Sequence, residues 1–245
     1  MTDSKQKHVI LLHGAGYVGG EIARILLGHS GVTLDAVTSR TFAGEPIWTP
    51  HPSLRGESEL KFSTPDELDI GSADAVLTAA EHGKGHEDVR WLLDQGFEGA
   101  LVDLSADFRY KDPELYEEWF DYTHSAPELL DEFVYGLPEV NAPYPRGTRL
   151  IANPGCFATG LALTLRPIAQ HLSEPTITVT ALTGASGSGA TPKSATHFPT
   201  REGNVRAYKI FNHQHLPEVL QVIGGNPDVA FVPVSGPWTR GIWGT

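Results

Sequence analysis

Cys156 is the only cysteine in the chain, and its local setting favours reactivity. An apolar run at 149–152 predicts a buried strand, and the run at 159–165 predicts a helix. Pro154 and Gly155 require a sharp turn between these two elements. A thiol just past such a turn lies at a helix N-terminus, where unpaired backbone N–H groups and the helix dipole stabilise the thiolate. The pattern therefore predicts a nucleophilic cysteine, and the alternative is a small buried apolar residue.

Two histidines, His213 and His215, lie just before Pro217, which predicts the start of a helix. Imidazoles at this spacing could bind a metal, act as catalytic bases or lie on the surface. A metal site is the least favoured of these, because no third cluster of ligands is evident. In a chain with a candidate thiolate, a histidine that transfers protons is the more economical interpretation, and one of the pair is expected to be structural.

Three glycines follow the first predicted strand, 8–12, and precede an amphipathic stretch at 21–27. They form a GxGxxG motif in the strand-to-helix context that dinucleotide binding requires. The first glycine permits the turn, the second lets the backbone approach a pyrophosphate, and the third allows close helix–strand packing. The cofactor-binding residues predicted from this motif are Gly14, Gly16, Tyr17, Val18 and Gly19.

The second predicted strand, 32–37, ends at Thr38-Ser39-Arg40. An NAD site usually carries an acidic residue here that binds the ribose hydroxyls. Hydroxyl and guanidinium groups suit a 2′-phosphate instead, so Ser39 and Arg40 predict NADP(H). Asp35 lies inside the strand, too early to be the ribose ligand. The alternative is that Arg40 is only a solvated loop cation.

Further along the chain, apolar runs at 74–80 and 100–104 predict two more parallel strands. Doubly wound folds bind ligands in the loops that follow such strands, so Ser105, Asp107 and Arg109 are site candidates. A structural Asp–Arg pair is the alternative.

Two segments of the first half are predicted to lie on the surface. The segment 41–61 is rich in Pro, Gly and Ser and reads as an irregular excursion. The acidic and aromatic segment 112–132 is expected to form a surface helix and a turn.

The alternating, β-branched run at 176–182 predicts the start of a second domain with an antiparallel sheet. It leads into the loop 183–193, which contains small residues, several hydroxyls and Lys193. Such a loop could bind a phosphate through free N–H groups, or it could be only flexible, and the composition does not distinguish the two.

Acidic residues outnumber basic ones by 30 to 18, for a formal net charge of −12. This balance argues against a nucleic-acid partner, because phosphate backbones need a basic face. An anionic substrate would need a local cationic pocket. The polar N-terminus runs directly into a strand, and no stretch approaches the length of a membrane-spanning helix. With one cysteine and no internal disulfide, we expect a soluble cytoplasmic protein.

Together, the motifs resemble those of the N-acetyl-γ-glutamyl-phosphate reductases, the arginine-pathway members of the semialdehyde dehydrogenase group. The combination is specific, whereas the glycine motif alone is not. The matching segments, which run through essentially the whole chain, are 14–20, 38–40, 103–109, 135–139, 153–156, 186–189 and 213–218. The resemblance implies an α/β architecture: a Rossmann-type doubly wound parallel sheet in an NADP-binding domain, 1–155, and an α+β catalytic and dimerisation domain with a mostly antiparallel sheet, 156–245.

The resemblance also implies a reaction. Cys156 would attack the acyl phosphate of N-acetyl-L-glutamyl 5-phosphate and expel phosphate to give a thioester. Hydride from NADPH would then yield N-acetylglutamate 5-semialdehyde through a thiohemiacetal. His213, five residues after Tyr208, is preferred as the acid/base, and His215 is the close second. The residues expected to bind substrate are Ser105, Arg109, Asn153, Ser186, Lys193 and Glu218.

Two departures from the family leave alternatives open. The sequence Ala190-Thr-Pro-Lys193 differs from the commoner pattern, so N-succinylglutamyl, aminoadipyl and aspartyl substrates are alternatives. Family members continue well beyond the predicted strand at 240–242, so we expect the chain ending at Thr245 to be truncated. A non-catalytic NADP-binding module is the alternative from another functional class. By resemblance alone, we expect a homo-oligomer, either a dimer or a tetramer.

Overall fold

The computed structural model describes residues 6–169, 176–224 and 227–245. The chain divides into two compact units. The first unit consists of Met1–Glu117, Tyr122–Gly136 and Pro143–Asn153, and the second consists of Glu118–Asp121, Leu137–Ala142 and Pro154–Thr245.

In the described residues, the first unit contains a sheet of seven strands in which every pairing is parallel. The strands are β1 (Lys7–Leu12), β2 (Val32–Thr38), β3 (Phe62–Ser63), β4 (Ala75–Thr78), β5 (Ala100–Asp103), β6 (Val134–Tyr135) and β7 (Leu150–Ala152). The helices α1 (Tyr17–Leu27) and α2 (Gly85–Asp94) lie in this unit, and α3 (Glu114–Phe120) belongs to it as far as Glu117. The strand order β3-β2-β1-β4-β5-β7-β6 reverses between β1 and β4, which is where doubly wound folds bind ligands.

The sequence of β1 explains its central position. Val9 to Leu12 are all buried, which is the continuous apolar pattern of a strand covered on both faces. One core cluster of this unit consists of Leu11, Ala23, Leu34, Val37, Ile47, Leu54 and Phe62.

Two predictions of surface segments are wrong in part. Ile47 and Leu54, within the predicted excursion at 41–61, are fully buried in the core cluster. Tyr116 and Leu130, within 112–132, are also buried. The Pro, Gly and Ser residues of the first segment and the acidic residues of the second obscure the apolar side chains that anchor each segment to the core.

The second unit has its own sheet and helices. Its helices are α4 (Pro138–Asn141), α5 (Cys156–Ala169), α6 (Phe198–Arg201) and α7 (His215–Ile223). Its described strands are β8 (Ile177–Thr183), β9 (Arg206–Ala207), β10 (Val229–Ser235) and β11 (Ile242–Gly244), in the order β11-β8-β10-β9. Two of the three pairings are antiparallel, and the longest, between β8 and β10, is parallel. Helices α5 and α7 are in contact with each other.

Candidate active site

Cys156 is the first residue of α5, directly after the turn that follows β7. Its side chain is exposed, so the alternative of a buried structural cysteine is wrong. The first backbone N–H groups of an α-helix have no partner within the helix, and the helix dipole is positive there. This setting stabilises a thiolate and also an oxyanion that develops beside it.

A buried carboxylate on α7 holds the turn before Cys156. Oε1 of Glu218 accepts a hydrogen bond of 2.7 Å from the backbone N–H of Gly155. Glu218 is only 1% exposed. The position that was expected to bind substrate therefore contacts the backbone next to the nucleophile.

The imidazole of His215 packs against the same turn. A Cβ added at Gly155 would lie 2.7 Å from Cε1 and 2.8 Å from Cδ2 of His215, and closer still to Nε2. Because contacts this short are not observed for real Cβ atoms, only glycine allows the ring to approach. His215 is also the first residue of α7, so the helix begins two residues before Pro217, the predicted start. Of the two histidines, His215 is therefore the one that directly contacts the residue before Cys156.

His213 has a different environment. Its ring makes edge contacts with Phe157, Phe231, Tyr208 and His215. Burial lowers its pKa to about 4, and the charge of Lys209 lowers it further in the same direction. The imidazole is therefore neutral at pH 7. Its Nδ1 accepts the backbone N–H of His215 at 3.2 Å, which places its own proton on Nε2.

Tyr208 belongs to this cluster, although the sequence interpretation used it only to mark a spacing. Burial and then the charge of Cys156 raise its pKa to about 12, while the charge of Arg201 opposes the rise. The phenol is therefore protonated at neutral pH and lies within electrostatic range of both the thiol and the guanidinium. No local sequence signal identifies it, because its position depends on the pairing of β9 with β10.

Ser186 and Lys193 lie on the loop that follows β8. Ser186 is within a 3₁₀ helix, Ala185–Ser188, and its backbone N–H donates to the carbonyl of Thr239. Lys193 is exposed and precedes a second 3₁₀ helix, Ser194–Thr196. Within 183–193 the structure has one 3₁₀ helix, Ala185–Ser188, and both interpretations of this segment stay predictions.

The glycine-rich loop of the first unit has two kinds of glycine. A Cβ at Gly19 would lie 2.5 Å from the Cα of Gly14, so these two residues must both be small for α1 to pack on β1. Gly16 has no atom within 4 Å of its hypothetical Cβ, so nothing in the described chain requires a glycine there. An open backbone at the N-terminus of α1 fits the approach of a pyrophosphate. Tyr17 and Val18, the first residues of α1, are exposed.

Residues outside the glycine motif position this loop. Nε2 of His51 donates to the carbonyl of Gly14 at 2.7 Å, a contact that the sequence interpretation missed because His51 lies within the 41–61 segment. Ser39 is buried, and its Oγ accepts the backbone N–H of Phe42. Arg40 is exposed, and its charge acts on His13. The exposed guanidinium of Arg40 therefore lies within electrostatic range of His13, the residue before the glycine-rich loop.

His13 precedes the first glycine and has a φ of 56°, in the left-handed region that non-glycine residues rarely adopt. Its Nε2 lies 2.8 Å from Oδ2 of Asp88, on α2. This hydrogen bond raises the pKa of His13, while burial and the charge of Arg40 act in the opposite direction.

Ser105, Arg109 and Asn153 form a separate cluster in the first unit. Arg109 is 5% exposed, and its Nε and Nη2 donate to the backbone carbonyls of Asn153 and Leu104. Ser105 is fully buried, and its Oγ donates to Asp103 at 2.7 Å. Burial raises the pKa of Asp103 to about 7. The contacts described here hold the loop after β5 in place, and a substrate-binding role for these residues stays a prediction.

Asp107 ties the same loop to the one after β4. Its carboxylate accepts the backbone N–H groups of Gly83 and His86 and the hydroxyl of Tyr122, and it pairs with Nδ1 of His86 at 3.1 Å. The residue is fully buried. It is therefore a structural anchor for both loops.

Across the described ranges, no group of three or more His, Cys, Asp and Glu side chains is arranged to hold a metal ion. Of the helices in the same ranges, none combines the length and apolar character needed to cross a bilayer.

Comparisons with protein families match both parts of the chain. Residues 8–144 match the semialdehyde dehydrogenase NAD binding domain, and residues 156–245 match the semialdehyde dehydrogenase dimerisation domain.

Curated relatives match nearly the whole chain. An N-acetyl-gamma-glutamyl-phosphate reductase of Methanopyrus kandleri is 42% identical over 95% of the chain and 68% of its own length. The enzyme of the same name from Methanosphaera stadtmanae is 40% identical, over 96% of the chain and 68% of its own length. A [LysW]-L-2-aminoadipate 6-phosphate reductase of Deinococcus radiodurans is 39% identical, over 98% of the chain and 68% of its own length.

Solved structures share the fold at low sequence identity. Aspartate semialdehyde dehydrogenase II of Vibrio cholerae superposes with a TM-score of 0.70 at 17% identity, over 98% of the chain and 73% of that structure. The Candida albicans aspartate semialdehyde dehydrogenase superposes with a TM-score of 0.63 at 13% identity, over 98% of the chain and 70% of that structure.

Proposed function

The chain belongs to the semialdehyde dehydrogenase family, and on this premise we propose that it reduces N-acetyl-L-glutamyl 5-phosphate to N-acetyl-L-glutamate 5-semialdehyde and phosphate in arginine biosynthesis. The observation that carries the proposal is the exposed Cys156 at the N-terminus of α5, with the ring of His215 against the preceding residue.

Cys156 is the nucleophile in the first step. Its thiolate attacks the carbonyl carbon of the acyl phosphate, the C–O bond to the phosphate breaks, and phosphate leaves with the electron pair. A thioester on Cys156 results, and a thioester accepts hydride far more readily than a carboxylate does. Backbone N–H groups at the start of α5 are suited to stabilise the oxyanion that develops during the attack.

His215 is the acid/base in this proposal, in preference to His213. It contacts Gly155, next to the nucleophile, whereas the lowered pKa of His213 makes that residue a poor proton carrier near pH 7. His213 acts by accepting the backbone N–H of His215 and so positions it. In the reductive direction, protonated His215 donates a proton to the oxygen of the thioester carbonyl as hydride reaches its carbon, which gives the thiohemiacetal. Neutral His215 then takes back the hydroxyl proton as the C–S bond breaks, so that the aldehyde carbonyl forms and the thiolate leaves.

The first unit is suited to hold the nicotinamide cofactor. The open backbone at Gly16 and the N-terminus of α1 would take the pyrophosphate. Arg40, an exposed cation next to the buried Ser39, would take a 2′-phosphate, and this supports NADP(H) over NAD(H). When bound, the cofactor supplies the hydride. We propose that the boundary between the cofactor-binding and catalytic domains lies between Gly155 and Cys156.

An aminoadipate 6-phosphate reductase is the second candidate function, favoured by the Deinococcus radiodurans relative, which is 39% identical over 98% of the chain. The two reactions share the acyl-phosphate chemistry and differ in the group that surrounds it. The match of residues 156–245 to a dimerisation domain supports a homo-oligomer, which sedimentation equilibrium would test.

The reverse reaction tests the proposal, because the acyl phosphate is labile and the semialdehyde can be supplied directly. Protein is mixed with semialdehyde, inorganic phosphate and NADP⁺, and NADPH absorbance is followed with the N-acetylglutamate, N-succinylglutamate, aminoadipate and aspartate semialdehydes in parallel. We expect phosphate-dependent NADPH formation that is fastest with N-acetylglutamate semialdehyde and is lost in Cys156→Ser. Turnover that survives this substitution would contradict the thioester mechanism, and silence with every semialdehyde would contradict the proposed reaction.

A further inference from the structure

Arg201 is a partly buried arginine with unused hydrogen-bond donors. It is the last residue of α6, and its Nε and Nη2 atoms are buried and have no hydrogen-bond partner among the described residues. Buried donors without partners are costly, and a guanidinium cannot avoid the cost by losing its proton. The chain has 30 acidic residues and only 18 basic ones, so an unused guanidinium is conspicuous.

The two unused donors share one edge of the guanidinium group. In arginine, Nε–H and Nη2–H point in nearly the same direction, and together they match two oxygens of a carboxylate or a phosphate. The donors therefore form the two-pronged edge that recognises a planar or tetrahedral oxyanion.

Backbone hydrogen bonds and strand pairing lead along the chain from Arg201 to Tyr208, which belongs to the cluster around His213. Its N–H donates to the carbonyl of His197, and its carbonyl accepts the N–H of Asn204. The chain then enters β9, which pairs with β10, and the N–H of Tyr208 donates to Pro233 on β10. The charges of Arg201 and Cys156 both act on Tyr208, one lowering and the other raising its pKa. The guanidinium and the thiol therefore both lie within electrostatic range of Tyr208.

The cationic residues predicted from the sequence to bind an anion have environments different from that of Arg201. Arg109 directs Nε and Nη2 to backbone carbonyls in the first unit, and Lys193 is exposed on a loop. Neither offers a buried pair of unused donors.

We infer that Arg201 binds an oxyanion of the substrate, a carboxylate or a phosphate, through Nε–H and Nη2–H and so orients the reacting carbonyl at Cys156. This inference rests on the proposed function for the identity of the substrate. The anion site itself does not depend on turnover.

Alkylation of Cys156 tests the anion site without any reductase activity. The thiolate displaces iodide from iodoacetate, an anion, or from iodoacetamide, its neutral counterpart, and one S–C bond forms as one C–I bond breaks. Because Cys156 is the sole cysteine, intact mass reports the reaction at one site. Arg201→Met is compared with Arg201→Lys, which keeps the charge but not the paired donors, and with Arg146→Met, which removes an exposed cation from the first unit.

We expect Arg201→Met to lower the iodoacetate rate, relative to the iodoacetamide rate, by about tenfold or more, because a charge-assisted pair of hydrogen bonds is lost. Arg201→Lys should recover part of the ratio, and Arg146→Met should leave it within about twofold of wild type because an exposed charge is screened. Inorganic phosphate should slow the alkylation of Cys156 by iodoacetate in the wild type and not in Arg201→Met. Equal rate changes for both reagents, or no change in either, would overturn the inference, with circular dichroism confirming that the variants are folded.

The reverse assay then distinguishes the two sources of the oxyanion. A KM for phosphate that rises in Arg201→Met assigns the guanidinium to the phosphoryl group. A KM for the semialdehyde that rises with an unchanged KM for phosphate assigns it to the carboxylate. If both KM values match the wild type, Arg201 does not bind substrate. If the wild type is inactive in the reverse assay but its Cys156 still reacts with iodoacetate in an Arg201-dependent way, the proposed reaction is wrong and the anion site at Arg201 stands.

Discussion

The carboxylate of Glu218 and the backbone N–H of Gly155 are joined by a hydrogen bond of 2.7 Å, so a buried acid on α7 holds the residue immediately before Cys156 at the start of α5. The residue before the nucleophile is thus held by a side chain 63 places further along the chain. Its orientation depends on the packing of α5 and α7, and not on the turn alone.

The Glu218 contact is expected to stabilise the fold as well as the site. Glu218→Ala should lower the free energy of unfolding by about 1–3 kcal/mol, because it leaves the N–H of Gly155 buried without a partner. Glu218→Gln retains an oxygen acceptor and should cost less. Urea unfolding of both variants measures the difference, and equal losses for Ala and Gln would show that the charge, rather than the hydrogen bond, is what stabilises the turn.

Gly155→Ala should reduce activity by displacing His215. The added Cβ would lie within 2.8 Å of three atoms of the imidazole, so the ring or the turn must shift. Gly160→Ala is the matched control, because this glycine is exposed on α5 and its hypothetical Cβ meets no atom within 4 Å. The control should be stabilised by about 0.5–1 kcal/mol through helix propensity. Steady-state kinetics beside thermal melting of both variants provide the measurement, and wild-type kcat in Gly155→Ala would rule out the tight approach of the ring.

His215→Gln should lower kcat by roughly 10²–10⁴-fold, the usual contribution of a positioned acid/base. His213→Gln should have a smaller effect, since the amide oxygen can still accept the N–H of His215. Near pH 4, the pH profile of kcat should have the same shape in the wild type and in His213→Gln. This is expected because a neutral His213 transfers no proton in this proposal. A larger loss in His213→Gln than in His215→Gln would return the acid/base role to His213.

Arg40→Ala should weaken the binding of NADPH more than the binding of NADH. Loss of a charge-assisted contact to a 2′-phosphate raises the KM for NADPH by about tenfold, and NADH lacks that phosphate. Arg146→Ala, another exposed arginine of the first unit, is the control for the loss of one positive charge. The forward or reverse assay with both cofactors measures this, and equal weakening of NADPH and NADH would exclude a role in 2′-phosphate recognition.

The ion pair between His13 and Asp88 should make stability depend on pH. The pKa of His13 is raised in the folded state, chiefly by its hydrogen bond to Asp88. Its contribution to stability is therefore fully present below pH 6.5, the ordinary value, and is lost as the pH rises through the folded pKa. His13 is about half exposed, so the effect is reduced by solvent.

His13→Gln tests this pH dependence and keeps the Asp88 contact to Thr78 intact. The difference in unfolding free energy between wild type and His13→Gln should be larger at pH 5.5 than at pH 8. A difference that stays constant across this range, measured by chemical denaturation, would show that the pair does not stabilise the folded state through its charge.

The sequence by itself determined the local features of the chain. A strand, three glycines and an amphipathic stretch predicted the loop between β1 and α1, because steric and hydrophobic constraints there act within twenty residues. Pro154 and Gly155 predicted a cysteine at a helix N-terminus for the same reason. The motifs shared with the semialdehyde dehydrogenase group also predicted two units, one with a parallel sheet and one with a mostly antiparallel sheet.

Only the tertiary structure decided which distant residues meet. The approach of His215 to Gly155 and the hydrogen bond between Gly155 and Glu218 depend on the packing of α5 against α7, which no local pattern encodes. The burial of the Arg201 donors is likewise visible only in the structure. Strand β10 was not predicted, because Pro233 and the surrounding prolines and glycines conceal its alternating burial. The exposure of Cys156 was likewise open in the sequence, since a lone cysteine is equally suited to a core until the surrounding fold determines its solvent access.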